Sequence, residues 1–444
     1  MSLKVAFTDI HGGVLGMQNR RSFLALAGVG ALVAACGSNT GRQGDPPPST
    51  AYSAGPPPSD APKVALQQWY HAYGEDGVQE AVKRYAATYP GAAVTVQWNP
   101  GDYDSKIVTA LQNSKVPDVF EAQVKIDWVR QNQVVALDDV IGPVKGDFSP
   151  AVLAAQTVEG KVYGIPQATD TQVLFYRKSL LQAAGVQPPQ TVDELIDAAS
   201  KLTKDGVKGF FAGNDGGVGV LTGPLLWSAG LDYLKNGNRE VGFDDPRAAT
   251  ALAKLHTLNA GGSLLLGAPA DWSDPGAFID GLAAMQWTGL WNVPKIRDAF
   301  DDDFGVLPFP KLDGSGAPSV PVGAYGAMVN AKSAHVAEAK AFVKWLWVDQ
   351  TQDQLEFATK FGFHVPARQS LIDRADSLKT GPAADAARFV KENSHLVGGP
   401  VWTQQSNTAL SDAVAKIAKE GADPVAQTKT AVEVAKSELK RLFG

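Results

Sequence analysis

A single cysteine among 444 residues excludes a disulfide framework and any zinc site built on thiolates. The six histidines (His11, His71, His256, His335, His364 and His395) are scattered, with no metal-ligand spacing. Charge is sparse as well. Asp, Glu, Lys and Arg make up 19% of the chain, and 40 Lys+Arg against 46 Asp+Glu leave a formal charge of −6. That balance argues against a phosphate backbone as partner, so nucleic acid is not expected. Catalytic signatures are missing too: there is no Gly-x-Ser-x-Gly elbow, no Gly-x-x-x-x-Gly-Lys-Ser/Thr loop and no His-Glu-x-x-His pair. Gly217-Val218-Gly219 lacks the third glycine of a dinucleotide site. The chain therefore reads as neither an enzyme nor the holder of a metal or cofactor.

What is present is apolar, small and uncharged. Hydrophobic residues reach 44% and aromatics 9%, with 45 Gly and 28 Pro, so a core is assured and the surface suits neutral ligands. The length fits two or three domains. Near the N-terminus Arg20-Arg21-Ser22-Phe23-Leu24 leads into Phe23–Ala35, 13 residues without a charge. A membrane-spanning helix needs roughly 20, so this stretch fits a signal-peptide core instead. Val33-Ala34-Ala35-Cys36 resembles a bacterial lipobox, which would acylate Cys36 and remove residues 1–35. The pair Arg20 and Arg21 resembles a twin-arginine export signal, for which Met17 is a natural start. Residues 36–62 then hold Cys36 and a segment carrying seven prolines between Gly37 and Pro62. At about 3.1 Å per residue such a tether reaches up to roughly 80 Å.

From Lys63 onward short strands alternate with amphipathic helices. Val64-Ala65-Leu66 reads as a strand, and Gly77–Tyr89 sets Val78, Ala81, Val82, Tyr85 and Tyr89 on one helical face. Val94, Val96 and Trp98 alternate as a strand does, Ile107, Val108 and Leu111 mark a helix, and Pro117–Phe120 reads as the next strand. This order implies parallel strands with covering helices. Thr191-Val192-Asp193-Glu194 has the form of a capping box, Gly185 is a helix stop, and Val414–Leu442 is helical in pattern.

Several stretches resemble the extracellular solute-binding proteins of bacterial carbohydrate transporters, the maltose-binding-like family that serves ABC importers. They are Gly160–Pro166, Asp170–Lys178, Leu181–Val186 and Pro188–Thr191, with Pro117–Phe120, Gly281–Met285, Gly289–Trp291 and Gly362–Arg368. Gln172 departs from the pattern, since many relatives have Arg there. The resemblance implies an α/β, two-lobed periplasmic-binding-protein-like fold with a ligand cleft between lobes and closure by hinge motion. Lobe 1 would comprise 63–169 plus 323–367, and lobe 2 would comprise 170–322 plus 368–444. It also implies a carbohydrate ligand, ABC permease subunits as partners, and a monomer held outside the cytoplasmic membrane by its lipid anchor alone.

Sugar hydroxyls both donate and accept, which suits planar polar groups, while sugar C–H faces lie flat on aromatic rings. Ligands of open α/β sheets sit beyond the carboxyl ends of strands. Trp69, Tyr70 and His71 end the first strand of the body, and Glu121 and Gln123 end the Pro117–Phe120 strand. Asp170 falls at the first lobe crossing, Tyr325 at the return between Gly323 and Gly326, and Arg368 near the last crossing. Trp227, Trp287 and Trp291 are candidate walls, and Asn214 lies in a turn that could form a ligand loop. Two other functions compete with sugar transport: a same-fold receptor for iron or a polyamine, and a secreted glycoside-active enzyme.

Overall fold

The computed structural model describes residues 63–444 apart from 114–116 and 315. Arg20, Arg21, Cys36 and the tether lie outside the described residues.

The chain opens with β1 (Ala65–His71), α1 (Val78–Thr88), β2 (Ala93–Asn99), α2 (Tyr103–Gln112) and β3 (Val119–Ala122). β1 pairs parallel with β2 on one side and β3 on the other. A helix between successive strands leaves parallel pairing as the natural outcome, as the alternation of elements implies. Leu66, Gln68 and Tyr70 turn inward from β1, and α1 buries Val78, Ala81, Val82 and Tyr85 against that face. On α2, Ile107 and Leu111 are buried, but Val108 projects outward at 43% exposure. The helical turn puts it one step beyond the inward stripe.

After β4 (Gly164–Pro166) a single residue, Gln167, leads into β5 (Ala168–Arg177), the strand on which a second sheet is built. The helix Val192–Leu202 follows, and Thr191 and Glu194 close a complete capping box at its start. β6 (Lys208–Phe211), β7 (Ala283–Gly289), β8 (Phe304–Leu307) and β9 (Val320–Gly323) come next. The chain then returns: Ala324 and Tyr325 link β9 to β10 (Gly326–Val329), which lies antiparallel between β3 and β4 in the first sheet. A last crossing enters β11 (Val365–Pro366), and β12 (Ser394–Leu396) completes the second sheet beside β9. The first sheet has the order β2-β1-β3-β10-β4, and the second runs β12-β9-β5-β7-β6, with β8 and β11 also on β5. Two long helices end the chain, Gln404–Glu420 and Pro424–Phe443. Gly421 stops the first of them with a left-handed φ of 65°.

Each sheet has its own apolar cluster, one around Leu66, Val82, Phe342 and Trp347, the other around Leu174, Leu252, Trp287 and Ile417. Three crossings join them at one place, because the start of β5 pairs with both return segments. Asp170 faces Gly323, and Thr169 faces Val365. Among the described residues no helix is long and apolar enough to cross a membrane.

Candidate functional site

The polar groups gather where the strands end and cross. Adjacent parallel strands bring His71, at the end of β1, beside Glu121 in β3. Glu121 is 1% exposed, and burying a carboxylate is unfavourable unless donors surround it. Three do. Its Oε1 accepts from the backbone N–H of His71 at 2.7 Å and from His71 Nδ1 at 2.5 Å, and its Oε2 accepts from the Tyr73 hydroxyl at 2.8 Å. Burial works against a charge on His71, but the Glu121 carboxylate outweighs it and the imidazole titrates above its ordinary range. The Tyr325 ring lies 4.8 Å from the His71 ring, and its hydroxyl donates to Asp104 at 3.2 Å.

A second histidine closes the other side. His364 Nδ1 stands 2.7 Å from Asp170 Oδ1, and its Nε2 stands 2.8 Å from Glu75 Oε1. An ionised carboxylate only accepts, so with one at each nitrogen both must carry hydrogen and the ring is an imidazolium. Burial opposes that charge, but the two carboxylates prevail and raise the group to about 10. Burial likewise works against the Glu75 carboxylate, while His364 pulls it below the usual range. Glu75 follows β1, whereas Asp170 and His364 lie on crossings, so this clasp ties a loop of the first sheet to the hinge.

Trp291 stacks on His364 at 6.0 Å with 20° between planes and meets Trp272 edge-on at 6.0 Å. Its Nε1 donates to the Ser273 carbonyl at 3.1 Å, which fixes the ring. The close approach depends on Gly362, where a Cβ would fall 2.8 Å from Glu75 Cγ and 3.1 Å from Trp291 Cβ. At Gly323 a Cβ would lie 3.2 Å from Gln123 Nε2, so that glycine leaves the amide its room. The result is aromatic faces beside planar polar groups, drawn from both sheets.

Residues 71–353, well over half of the chain, match the bacterial extracellular solute-binding protein family. The chain belongs to that family. A galactooligosaccharide-binding protein of Bacillus subtilis (strain 168) is 28% identical over 309 residues, 67% of this chain and 70% of the relative. A solute-binding protein of an ABC transporter from Thermotoga lettingae TMO, solved with α-D-tagatose, superposes with a TM-score of 0.73 at 20% identity, covering 85% of this chain and all of the other. The GacH receptor of Streptomyces glaucescens GLA.O, solved unliganded and with acarbose, gives a TM-score of 0.71 at 23% identity over 85% of this chain and 99% of that one. The fold of this solute-binding protein is thus the two-lobed one, with its cleft between the lobes.

Among the residues singled out in the sequence, His71, Glu121, Asp170, Tyr325, Trp291 and Gln123 come together at the crossings. Glu121 serves from behind, because its acceptor positions are taken by His71 and Tyr73. Trp69 is partly buried under the Lys106 ammonium, 5.5 Å from the ring centre, and lines an open groove of about 700 Å³ along α2. The remaining candidates need correction. Tyr70 is wholly buried, its hydroxyl accepting from Gln68 at 2.9 Å, because strand alternation sends it inward while His71 turns to the cleft. Trp287 is wholly buried and donates to Gln172 Oε1 at 2.8 Å, which places the atypical Gln172 in the second core's support rather than at the ligand. Trp227, 1% exposed, stacks on His395 and donates to Asp232. Arg368 is spent on Asp147 Oδ2 and the Val348 carbonyl, both at 2.8 Å, and so fastens the last crossing to the 147–149 segment. Asn214 commits its side chain to Ala268 and Ala270, which holds the turn that follows β6.

Sequence reasoning missed Tyr73, Glu75, Asp104 and His364. The strand-end rule that chose His71 extends to Tyr73 and Glu75 in the same loop, so they were within reach. His364 lies in the Gly362–Arg368 stretch, but its role depends on two carboxylates 194 and 289 residues away along the chain. The substitution Trp291→Ala removes an aromatic face held by one hydrogen bond and partly open to solvent. It is expected to weaken ligand binding about tenfold, by loss of roughly 1–2 kcal/mol of ring contact, and to leave the melting temperature within a few degrees. Calorimetric titration alongside a thermal melt checks both halves.

Proposed function

We propose that this solute-binding protein captures a neutral carbohydrate, oligosaccharide in length, and hands it to the permease subunits of an ABC importer. The observation that carries this reading is the meeting of the Trp291 and Tyr325 rings with the Gln123 amide and the Asp170 carboxylate at the crossings. Flat apolar faces and planar hydrogen-bonding groups are the two things a sugar requires. The sugars named for its relatives support the same class. A polyamine would need several unspent carboxylates, whereas Glu121 is engaged by His71 and Tyr73 and Glu75 by His364, which leaves of these three only the second oxygen of Asp170. In this reading 63–169 plus 323–367 form one jaw and 170–322 plus 368–444 the other. Arg20-Arg21 directs export, and acylated Cys36 holds the protein at the outer face of the membrane through the tether.

Intrinsic tryptophan fluorescence titrated with mono-, di- and trisaccharides tests the assignment, because Trp291 stands at the site. The expected result is a saturable change with the sugar recovered intact. Turnover of the sugar would point to a glycoside-active enzyme instead. Silence toward every sugar with a response to ferric citrate or spermidine would move the protein to the other ligand classes.

A further inference from the structure

Gln167 is the single residue between β4 and β5, at the point where the chain leaves the first sheet for the second. Its backbone N–H donates to the Tyr325 carbonyl at 3.1 Å, so it is pinned between two crossings. The side chain is 4% exposed, yet neither Nε2 nor Oε1 has a hydrogen-bond partner among the described residues. An unpaired buried amide is destabilising, and an apolar side chain of the same length would fill that volume without the penalty.

Gln167 lines a small, half-open space with Tyr73, Ala168, Asp170, Tyr325, Phe357 and His364. About 10 Å³ is open there, enough for one heavy atom and its hydrogen and too little for a sugar ring. The neighbours are largely spent: Tyr73 donates to Glu121, Tyr325 donates to Asp104, and His364 gives both nitrogens to carboxylates. Gln167 is the lining group with an unmet donor and an unmet acceptor together.

We propose that Gln167 reads the ligand at the floor of the cleft by taking one projecting hydroxyl. The hydroxyl's hydrogen goes to Oε1, and Nε2 donates to a sugar oxygen. This rests on the carbohydrate reading above and narrows it. The end of the sugar that enters the hinge carries a free hydroxyl, since an acetamido, sulfate or O-methyl substituent is larger than the space.

The test compares the full-length protein with Gln167→Met and Gln167→Ala by calorimetric titration with maltotriose, mannotriose and a galactosyl trisaccharide, together with ligand-free melting curves. Gln167→Met is expected to weaken the best-bound sugar about tenfold, while the ligand-free protein melts at the same temperature or slightly higher. Equal affinity in wild type and both variants would overturn the proposal. So would a fall of several degrees in melting temperature, or failure of both variants to fold, since the amide would then serve the fold through a resident water. If the wild type binds none of the sugars, the carbohydrate reading fails first and takes this proposal with it, an outcome visible without the variants.

Discussion

Trp287→Ala is expected to lower the stability of the folded body by about 3–5 kcal/mol while leaving ligand affinity within about twofold in the protein that remains folded. The ring is wholly buried, lies edge-on to Phe309 at 5.6 Å, and belongs to the cluster that holds Leu174, Met285 and Trp227. Removing it empties a space that the flanking strands cannot collapse into, because β7 is hydrogen-bonded to β5 on one side and β6 on the other. Gln172 Oε1 loses its donor at the same time. Trp287→Phe should recover most of the apolar burial but not that hydrogen bond, and so fall between. Urea unfolding followed by circular dichroism, with calorimetric titration at a temperature where both proteins are folded, separates the effects. A large loss of affinity with unchanged unfolding would return Trp287 to the ligand wall.

The contrast between Trp287 and Trp291 shows what the sequence made legible. Both tryptophans belong to one glycine-rich segment, and composition cannot distinguish them. The strand period does so once its end is known: Trp287 lies within β7, which is buried on both faces, while Trp291 lies past Gly289, where the chain has left the sheet. The alternation of β1, β2 and β3 with α1 and α2 was readable because each element is local. The second sheet was not readable in the same way, since β5 is joined to partners from about 100 to 200 residues further along the chain. The site divides on the same line. His71 and Glu121 stand at strand ends that the pattern located, and Asp170 and Tyr325 at crossings that the family resemblance implied. Arg368 was chosen for its charge near a crossing, but its guanidinium finds Asp147, 221 residues earlier, and the cleft receives His364 instead. Side-chain direction at a crossing depends on register, and the sequence does not carry register in any short window.

The clasp at His364 makes stability depend on pH in a direction that can be stated in advance. The ring is raised from 6.5 to about 10 in the folded protein, against its own burial, by Asp170 and Glu75. A group raised on folding contributes its full stabilisation below its unfolded value and loses it as pH climbs through its folded value. The contribution is therefore complete below about pH 6.5 and disappears by about pH 10; at roughly 1.4 kcal/mol per pH unit it amounts to a few kcal/mol. Glu75, which is lowered, acts at the other end: its share is present above 4.5 and fades as pH falls through its folded value. Above the upper limit a neutral imidazole can donate to only one carboxylate, which leaves Asp170 or the buried Glu75 without a partner. The variant His364→Gln keeps one donor group and cannot titrate. Urea unfolding from pH 6 to 10.5 should show wild type well above His364→Gln at the acid end and the gap closing steadily toward pH 10, while tyrosine and lysine titrations common to both proteins cancel. Two parallel curves with a constant gap would mean that the imidazole is neutral throughout and that its contribution is packing against Trp291.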